Sequence, residues 1–340
     1  MTTPAADGFT MPGEWAPHAR CWMAWPVREE TFGGPEALET AQRAYAEIAR
    51  AIARFEPVTM ICRQADVPEA SLACGKGIEV LPMPISDSWT RDTGPSFLVA
   101  PGGRLAGVDW VFNAWGEKYP SHKHDAKLAR RLLKRVGAKR YDAPLVMEGG
   151  AFHVDGEGTL VTTEQCLLHP NRNPGMTRGE IEGLLKAFLN VETVIWLGEG
   201  YEDDETDGHV DEICTFIRPG AVLMLTTDDT ADPNHRIFQD NVERMRKARD
   251  ARGREIEVVT IHQPNRRTRP DGRRMTLSYT NLYLANGGVL MPAFDDAWDR
   301  TAFQTIRRVF PDREVVQLPA ADIVAGGGGI HCITQQQPAV

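Results

Sequence analysis

The sequence predicts an α/β fold in which five similar modules close into a propeller-like ring around a central cavity. Helical periodicity recurs five times along the 340 residues. After each helical segment come a short β-branched run and then a pair of strands joined by a tight turn. Reactive polar residues recur at one place in the modules, just before the strand pair. An ordinary α/β sheet with helices on both faces has the same strand and helix count, but it does not explain this recurrence.

The helical segments are amphipathic and are predicted at 35–55, 121–136, 177–190, 233–252 and 296–310. The third helix has the best-marked start, because Thr177 and Glu180 have the spacing of a capping box. The β-branched runs that follow the helices are predicted as strands at 57–62, 139–145, 191–197, 255–261 and 313–318.

Strand pairs with tight turns are predicted within 96–110, 150–163, 212–225 and 280–293. The fifth pair, at 326–338, is expected to be cut short by the C-terminus. A module of this kind cannot bury its sheet alone, so the repeats are expected to pack on one another. The sequence therefore predicts a single domain over residues 1–340, with a flexible segment at 1–10.

The net charge of −9 at pH 7 limits the classes of partner. Nucleic-acid binding depends on basic surface that neutralises phosphates, so the acidic balance argues against it. A small cationic ligand is the more natural partner. Residues 265–274 are a local exception, with five arginines among ten residues. We interpret this stretch as a solvated loop, and its composition alone does not define a role for it.

The start of the chain lacks the basic and apolar regions of a signal peptide, and the longest tight apolar run elsewhere is AVLML at 221–225. We therefore expect neither secretion nor membrane insertion. The six cysteines are scattered without a CxxC pair, so their spacing indicates neither a zinc site nor a disulfide framework. A reducing cytoplasm fits this cysteine usage.

Reactive side chains collect at the junctions that lead into the strand pairs. They are Trp89, Arg91 and Asp92 in the first module, Glu148 before Gly149 and Gly150 in the second, Asp207, His209 and Asp211 in the third, and His331 and Cys332 in the fifth. The fourth module offers Ser278 and Asn281 and little reactive chemistry. If the ring closes, these side chains face one another across its axis.

Such a cavity suits a guanidinium group, which is planar and cationic and presents N–H donors that two carboxylates can grip. Asp92 and Asp211 suit that grip, because a bound cation compensates their buried charge. Cys332 is the candidate nucleophile, since a thiolate attacks strongly and four glycines precede this cysteine. His209 would move protons, and Glu148 would hold the remaining nitrogens and assist those transfers.

Other candidates have plainer interpretations beside the functional one. The other five cysteines are expected to fill the core. The acidic residues at 202–205, which include Glu205, form either a solvated loop or a cage for a second positive charge on the substrate. Trp89 and Trp115 flank an alkyl chain or belong to the core. His209 and Asp211 resemble part of a metal site, but no further ligand lies at metal spacing.

Six motifs between Met11 and Pro338 resemble the agmatine deiminases, within the guanidine-modifying superfamily that includes arginine deiminases and bacterial peptidyl-arginine deiminases. The motifs are MPGEWAPHARCWMAWP, SDSWTRDTGPSF, VFNAWG, MEGGAFHVDGEGTLVTTEQCLL, ETDGHVDE and GGGGIHCITQQQP. One residue departs from the family pattern, because Gly329 stands where asparagine is usual. Taken together, the six motifs are highly specific.

The resemblance implies a five-bladed pseudosymmetric α/β propeller, the pentein fold, with no metal or organic cofactor and a homodimeric assembly. It also implies roles for individual residues: Cys332 as the nucleophile of a covalent amidino-cysteine, His209 and Glu148 as acid and base, Asp92 and Asp211 as the guanidinium clamp, and Trp89 beside the substrate. In that family agmatine becomes N-carbamoylputrescine, a step towards putrescine.

Three functions remain open from the sequence. A deiminase of agmatine is supported by the acidic run that ends at Glu205, which suits an ammonium tail. A deiminase or amidinotransferase acting on another guanidine, such as arginine or peptidyl arginine, is favoured if the loop at 265–274 reaches the cavity mouth. A non-catalytic binding protein on the same scaffold is the third, and the presence of every reactive group argues against it.

Overall fold

A computed structural model describes residues 2–269 and 272–340 of the chain. Their strands form five separate small sheets. The strands, in chain order, are β1 (His18–Ala24), β2 (Val58–Cys62), β3 (Ile78–Pro82), β4 (Ser96–Ala100), β5 (Arg104–Val111), β6 (Lys139–Val146), β7 (Phe152–Val154), β8 (Thr159–Thr163), β9 (Thr193–Leu197), β10 (Cys214–Arg218), β11 (Ala221–Thr226), β12 (Glu257–His262), β13 (Tyr283–Ala285), β14 (Gly288–Ala293), β15 (Glu314–Pro319) and β16 (Gln335–Pro338).

The α-helices vary from single turns to one of 18 residues. They are α1 (Glu29–Phe32), α2 (Pro35–Ile52), α3 (Val67–Cys74), α4 (Thr90–Thr93), α5 (Ala114–Glu117), α6 (Leu128–Val136), α7 (Glu164–Leu167), α8 (Arg178–Leu189), α9 (Pro233–Lys247), α10 (Asp299–Val309) and α11 (Ala321–Val324). Short 3-10 turns lie at Gln64–Asp66, Asp125–Lys127, Gly149–Ala151 and Val210–Glu212. In the part of the chain that is described, every helix is too short or too polar to cross a bilayer.

Each sheet is built on one plan, in which an antiparallel pair is followed by a parallel third strand. The plan holds for β4–β5–β6, β7–β8–β9, β10–β11–β12 and β13–β14–β15. A helix connects the second and third strands of each of these sheets, as a parallel pair requires. The predicted α/β ring of five modules is confirmed.

The fifth sheet closes the ring with both ends of the chain. Strand β16 pairs antiparallel with β1, and β1 pairs in parallel with β2, which in turn pairs with β3. Residues 326–338 contain one strand, so the last strand pair is cut short within its own segment, as predicted. Its second strand is β1, at the opposite end of the sequence, and a local pattern does not reveal a partner so distant.

The predicted helices are present with shifted ends. The capping box at Thr177 is confirmed, since its Oγ1 accepts from the Glu180 backbone N–H and the Glu180 carboxylate accepts from Thr177 N at 2.7 Å. Helix α9 ends at Lys247, five residues earlier than predicted, because Ala248 is extended and Asp250 folds the following residues into a turn. Helix α6 begins only at Leu128.

The N-terminal segment packs against the ring. Ala5 N donates to Ala187 O at 3.1 Å, and the backbones of Thr10 and Val99 exchange hydrogen bonds of 2.9 Å. Phe9 is buried. The flexibility expected for residues 1–10 stays a prediction, and these contacts oppose it for residues 5–10.

A buried acidic residue, Glu56, stabilises the seam at which the ring closes, between β1 and the turn that joins β13 and β14. The Glu56 carboxylate lies just after α2 and accepts hydrogen bonds from the Tyr283 hydroxyl at 2.6 Å and from Asn286 N at 2.8 Å. The His18 Nδ1 atom on β1 lies 3.1 Å from the same carboxylate. This contact network links β1 to the turn between β13 and β14, and so joins the two ends of the ring.

Replacing Glu56 with alanine should lower the free energy of unfolding by about 3 kcal/mol, because it leaves buried donors on Tyr283 and Asn286 without an acceptor. Chemical denaturation monitored by tryptophan fluorescence measures the change. Glu47→Ala, at an exposed position of α2, is the control, with an expected change within about 0.5 kcal/mol. Equal stabilities for the two variants would show that the seam does not depend on this carboxylate.

Candidate active site

The junctions before the strand pairs meet at the centre of the ring. Single turns carry the polar side chains there: α4 bears Asp92, and the 3-10 turn Val210–Glu212 bears Asp211. Gly150 allows the close approach. A Cβ atom at this position would lie 2.6 Å from His209 Nδ1 and 3.0 Å from Asp92 Oδ1, closer than real contacts permit. The predicted convergence of Asp92, His209, Asp211, Glu148 and Cys332 is present.

Cys332 lies among acidic side chains. Its Sγ atom is 3.5 Å from Glu212 Oε1 and 3.6 Å from Asp211 Oδ2, and the residue is 4% exposed. Burial raises the pKa of the Cys332 thiol well above its usual value, and the charges of Asp211, Glu212 and Asp92 raise it further. In the free protein this cysteine is a protonated thiol.

Asn281 holds the thiol and the chain beside it. Its Nδ2 donates to Cys332 Sγ at 3.2 Å and to Glu212 Oε1 at 3.0 Å, while its Oδ1 accepts from His331 N at 2.9 Å. A Cβ atom at Gly329 would lie 2.5 Å from that Oδ1, so the asparagine usual at this position would have to displace Asn281. The sequence indicated little reactive chemistry in the fourth module, but these contacts place its Asn281 against the Cys332 thiol.

His209 stands between carboxylates with both ring nitrogens buried and without hydrogen-bond partners among the described residues. Its Nε2 lies 3.6 Å from Glu148 Oε2, and its Nδ1 lies 3.9 Å from Asp92 Oδ1. Burial alone would lower the pKa of His209, but Asp92 and the contacts with Cys166 and Glu148 outweigh it and raise the pKa well above 6.5. His209 is therefore an imidazolium with protons to give.

A buried arginine fixes the charge of Glu148. Arg172 Nε donates to Glu148 Oε1 at 2.8 Å, and neither side chain is exposed to solvent. Burial alone would raise the pKa of Glu148, but Arg172 and His209 together lower it. Arg172 also pairs with Asp207 at 3.1 Å, so Asp207, a residue of the predicted polar junction, anchors this arginine. Glu148 Oε2 has no hydrogen-bond partner among the described residues, and His209 Nε2 lies 3.6 Å from it.

Asp92 is held in place by two donors. Its Oδ1 accepts from Gly150 N at 2.9 Å, and its Oδ2 accepts from Trp115 Nε1 at 2.8 Å. Burial, followed by the charges of Asp211 and Glu148, raises its pKa to about 6, although His209 opposes the shift. Ala114 and Trp115 both have positive φ angles, 57° and 55°, a strained backbone that turns the Trp115 indole towards this carboxylate.

Asp211 is one end of a buried chain of charged groups. Its Oδ2 lies 2.8 Å from His331 Nδ1, and His331 Nε2 lies 2.8 Å from Glu14 Oε1. Glu14 in turn lies 3.3 Å from Arg91 Nη1. Burial opposes ionisation of Asp211, but His331 lowers its pKa below the usual value. The Oδ1 atom has no hydrogen-bond partner in the described structure, with His209 Nδ1 at 4.0 Å, so it can accept from a ligand.

A cavity of about 330 Å³ opens above Cys332. Its walls include Trp89, Trp115, Tyr119 and the glycines Gly326, Gly327 and Gly328. Trp89 is stacked on Phe32 with ring centroids 6.3 Å apart. The cavity therefore has aromatic walls and an acidic floor, as a flat cation on an alkyl chain requires.

Glu205, predicted to hold a second positive charge, lies at the mouth of this cavity. Its carboxylate is occupied by protein groups: Tyr119 OH donates to Oε1, and Arg269 Nη1 lies 3.3 Å from Oε2. The arginine-rich loop at 265–274, of which residues 270 and 271 lie outside the described residues, thus reaches the cavity mouth. Interpreting it as a solvated loop was wrong for Arg269 and also for Arg274, which is buried.

Sequence reasoning missed four residues of this site. Arg172, Glu14, Tyr119 and Cys166 lie far from the junctions in sequence, and single-chain periodicity carries no signal for them. Glu212 follows Asp211 in the motif HVDE, so its acidic type next to a candidate clamp residue was an available clue. Cys166 is buried as predicted, but it also lies beside His209, since its sulfur and a ring nitrogen of His209 are within 4.8 Å of each other.

Among the residues that the structure describes, three groups of histidine, cysteine and acidic side chains have ligand atoms within 4.8 Å of one another, and one of them is Asp211, Glu212 and Cys332. Their atoms face Asn281 and His331 through the contacts given above. The expected absence of a metal and of an organic cofactor stays a prediction.

The fold and the central cluster define the class of guanidine-modifying enzymes, in which a cysteine, a histidine and acidic side chains meet at the axis of a five-module ring. The model of the Porphyromonas-type peptidyl-arginine deiminases matches residues 10–338 of the chain. The chain belongs to this family.

The relatives extend over the whole chain. A protein of Legionella pneumophila is 52% identical over 339 residues, which cover 99% of this chain and 97% of the relative. The agmatine deiminase of Stutzerimonas stutzeri is 45% identical over 362 aligned positions, which cover 99% and 98% of the two chains. The solved agmatine deiminase of Enterococcus faecalis superimposes with a TM-score of 0.96 at 37% identity, covering 100% of this chain and 98% of that one.

At pH 7, iodoacetamide should alkylate Cys332 more slowly than it alkylates a free cysteine, because the pKa of the Cys332 thiol is raised. The alkylation rate should increase with pH and reach half of its maximum above pH 9. Asp211→Asn should accelerate the reaction at pH 7, because the pKa of Asp211 is lowered and its charge, after burial, raises the pKa of the thiol. Mass spectrometry of the labelled peptide measures both rates, with Cys332→Ala as background. A midpoint below pH 8 would contradict the assignment of a protonated thiol.

Proposed function

We propose that this protein is an agmatine deiminase, which hydrolyses the guanidino group of agmatine to N-carbamoylputrescine and ammonia. One observation carries the proposal. The buried thiol of Cys332 is bordered by Asp211 and Glu212, and one carboxylate oxygen on each of Asp211, Glu212 and Glu148 lacks a hydrogen-bond partner among the described residues. Buried acceptors without donors are costly, and a guanidinium supplies a planar set of donors together with the missing positive charge.

Binding is assigned to a carboxylate clamp. Asp92 and Asp211 grip the guanidinium from two sides, and Glu148 accepts from a remaining nitrogen through its free Oε2. Trp89 borders the cavity above them and packs against the alkyl chain. Held in this way, the central carbon of the guanidinium lies over the Cys332 sulfur in one orientation, which removes the entropic cost of finding it.

The substrate itself activates the nucleophile. The Cys332 thiol is protonated in the free protein because burial, together with the neighbouring acidic side chains, raises its pKa. A guanidinium placed beside it reverses the local charge, lowers the thiol pKa and favours loss of the proton through a flanking carboxylate. This arrangement keeps the cysteine unreactive until the correct cation is bound.

The first half-reaction forms a bond between Cys332 Sγ and the guanidinium carbon. The tetrahedral adduct collapses when the imidazolium of His209 donates a proton to one amino group, and ammonia leaves with breaking of the C–N bond. An amidino group remains on the sulfur as a cation, which the Asp92 and Asp211 carboxylates stabilise. His209 is now neutral and next to Glu148, at 3.6 Å.

The second half-reaction restores the enzyme. Neutral His209, supported by Glu148, accepts a proton from water as the hydroxide oxygen bonds to the amidino carbon. The C–S bond then breaks, the hydroxyl proton passes to the sulfur and the ureido product departs. The carboxylate that took up the thiol proton releases it, and this proton converts the ammonia to ammonium. The sum is guanidinium plus water to a ureido group and ammonium, with no electrons transferred.

The substrate tail is assigned to agmatine because relatives at 45% and 37% identity over nearly the whole chain are agmatine deiminases. Glu205 at the cavity mouth is the proposed contact for the ammonium tail. The product would enter putrescine biosynthesis. The alternative, a guanidine with a carboxylate tail such as arginine, draws support from Arg269 at the same mouth.

Two further expectations accompany the activity. We propose a cytoplasmic location, which the six free cysteines support, since a reducing compartment keeps thiols unpaired. A homodimeric state, implied by the family resemblance alone, stays a prediction.

Ammonia and ureido-product release should be seen with agmatine and be far weaker with arginine and with a peptidyl arginine, assayed side by side by colorimetry. Cys332→Ala should abolish turnover while still binding agmatine, because the clamp is separate from the nucleophile. Turnover of arginine instead of agmatine would move the specificity to the alternative. Full activity of Cys332→Ala would refute the covalent mechanism.

Asp92→Asn should lower kcat/KM for agmatine at least about a hundredfold, because one arm of the clamp loses its charge. In the unmodified protein kcat/KM should fall as the pH drops through about 6, where Asp92 takes up a proton and the clamp is neutralised. Steady-state kinetics between pH 5 and 9 test both statements. The exposed Asp142→Asn is the control, and unchanged kinetics in Asp92→Asn would remove Asp92 from the site.

A further inference from the structure

Arg269 contacts Glu205, the carboxylate that we propose binds the ammonium tail of the substrate. Its Nη1 atom lies 3.3 Å from Glu205 Oε2, and its Nη2 atom lies 3.5 Å from Val324 O. The two side chains rest on the glycine-rich loop before the nucleophile, since a Cβ atom on Gly327 would lie 3.0 Å from Glu205 Oε2 and 3.7 Å from Arg269 Nη2. The ion pair therefore sits directly at the entrance to the cavity above Cys332.

The contact between Arg269 and Glu205 is longer than the contacts that Arg274 makes in the same segment. Arg274, five residues further on, donates to both oxygens of Asp232 at 2.6 and 2.7 Å and to Glu202 at 2.7 Å, and it is fully buried. Arg269 contacts Glu205 at 3.3 Å through Nη1 alone, and its side chain is 10% exposed. Charge-assisted N–H···O bonds are normally 2.7–2.9 Å long. Arg274 is thus a structural residue, whereas Arg269 is exchangeable.

Space for the exchange exists on the outer side of Arg269. A second cavity of about 840 Å³, open to solvent, is lined by Arg269, Thr268, Phe32, Met275 and Ala325. The cavity above Cys332 is lined by Glu205 and the neighbouring glycines. Arg269 stands between the two, so its guanidinium can leave Glu205 for the outer cavity without passing through the protein interior.

We propose that Arg269 is a specificity-determining residue, which pairs with Glu205 in the free protein and is displaced by the cationic tail of the substrate. The proposal rests on the proposed function for the identity of that tail. A ligand with an ammonium tail replaces Arg269 on Glu205 Oε2. Tyr119 and Arg273, which contact Oε1, stay in place. A ligand with an uncharged tail cannot make this replacement and leaves the ion pair closed.

Exchange of Arg269 for the ligand tail on Glu205 also explains how the protein discriminates between cationic ligands and how it releases the product. An unpaired Glu205 would attract any cation, whereas a paired one accepts only a ligand whose guanidinium is already gripped below. The ureido product has lost the guanidinium charge but keeps its ammonium tail. Return of Arg269 to Glu205 then competes with the weakened ligand and helps to expel it.

The test compares binding of agmatine and of n-butylguanidine, which has the same guanidinium and alkyl chain without the amine. Isothermal titration calorimetry on Cys332→Ala protein gives Kd without turnover. Arg269→Gln in that background should tighten agmatine binding about five- to tenfold and change n-butylguanidine binding by less than about twofold. Arg266→Gln, an exposed position in the same loop, is the matched control for net charge and should leave both values unchanged.

A double variant tests whether Arg269 acts on agmatine binding through Glu205. In Glu205→Gln protein the substitution Arg269→Gln should no longer tighten agmatine binding, because the acceptor that the two cations share is gone. Equal tightening for both ligands, or weaker agmatine binding in Arg269→Gln, would overturn the exchange. Thermal unfolding of each variant shows whether the ring is intact.

The outcomes separate this inference from the proposed function. If wild-type protein turns over agmatine and Arg269→Gln does not tighten its binding, the exchange is wrong and the function stands. If agmatine binds more tightly to Arg269→Gln but wild-type protein releases no ammonia from it, the exchange stands and the function is wrong. Absence of agmatine binding in every variant overturns both.

Discussion

Four acidic side chains around one buried thiol impose the main constraint on this structure. Each carboxylate has to be compensated without blocking the cavity, and the ring does so from outside. Arg172 fixes Glu148, and the chain from Asp211 through His331 to Glu14 fixes the third module. The charges that remain uncompensated face inwards, so the cavity is selective for cations before any specific contact is made.

Closure of the ring is what brings this chemistry together. Cys332 and Asp211 are 121 residues apart in sequence, and their side chains lie within 3.6 Å only because β1 and β16 join the two ends of the chain in one sheet. Stability and activity therefore share a structural basis. Loosening the seam at Glu56 would move the nucleophile relative to its clamp.

The ion pair at the mouth of the cavity is longer than the one that fixes Glu148 on its floor. On the floor, charges are fixed by short contacts such as that of Arg172 with Glu148, at 2.8 Å. At the mouth, Glu205 meets Arg269 at 3.3 Å beside an open cavity, an arrangement suited to exchange of partners. A fixed floor serves a reaction common to the family, and an exchangeable mouth serves the choice of substrate tail.

The sequence by itself determined the repeated modules, because hydrophobic periodicity and turn residues are local properties. It also determined the central residues Asp92, Glu148, His209, Asp211 and Cys332, because reactive types recur before each strand pair and match the motifs of a family. Only the tertiary structure decided the closing strand β1, the support of Glu148 by Arg172 and the pairing of Glu205 with Arg269. Each of these joins residues distant in sequence, and such contacts depend on how the modules pack, which no single segment encodes.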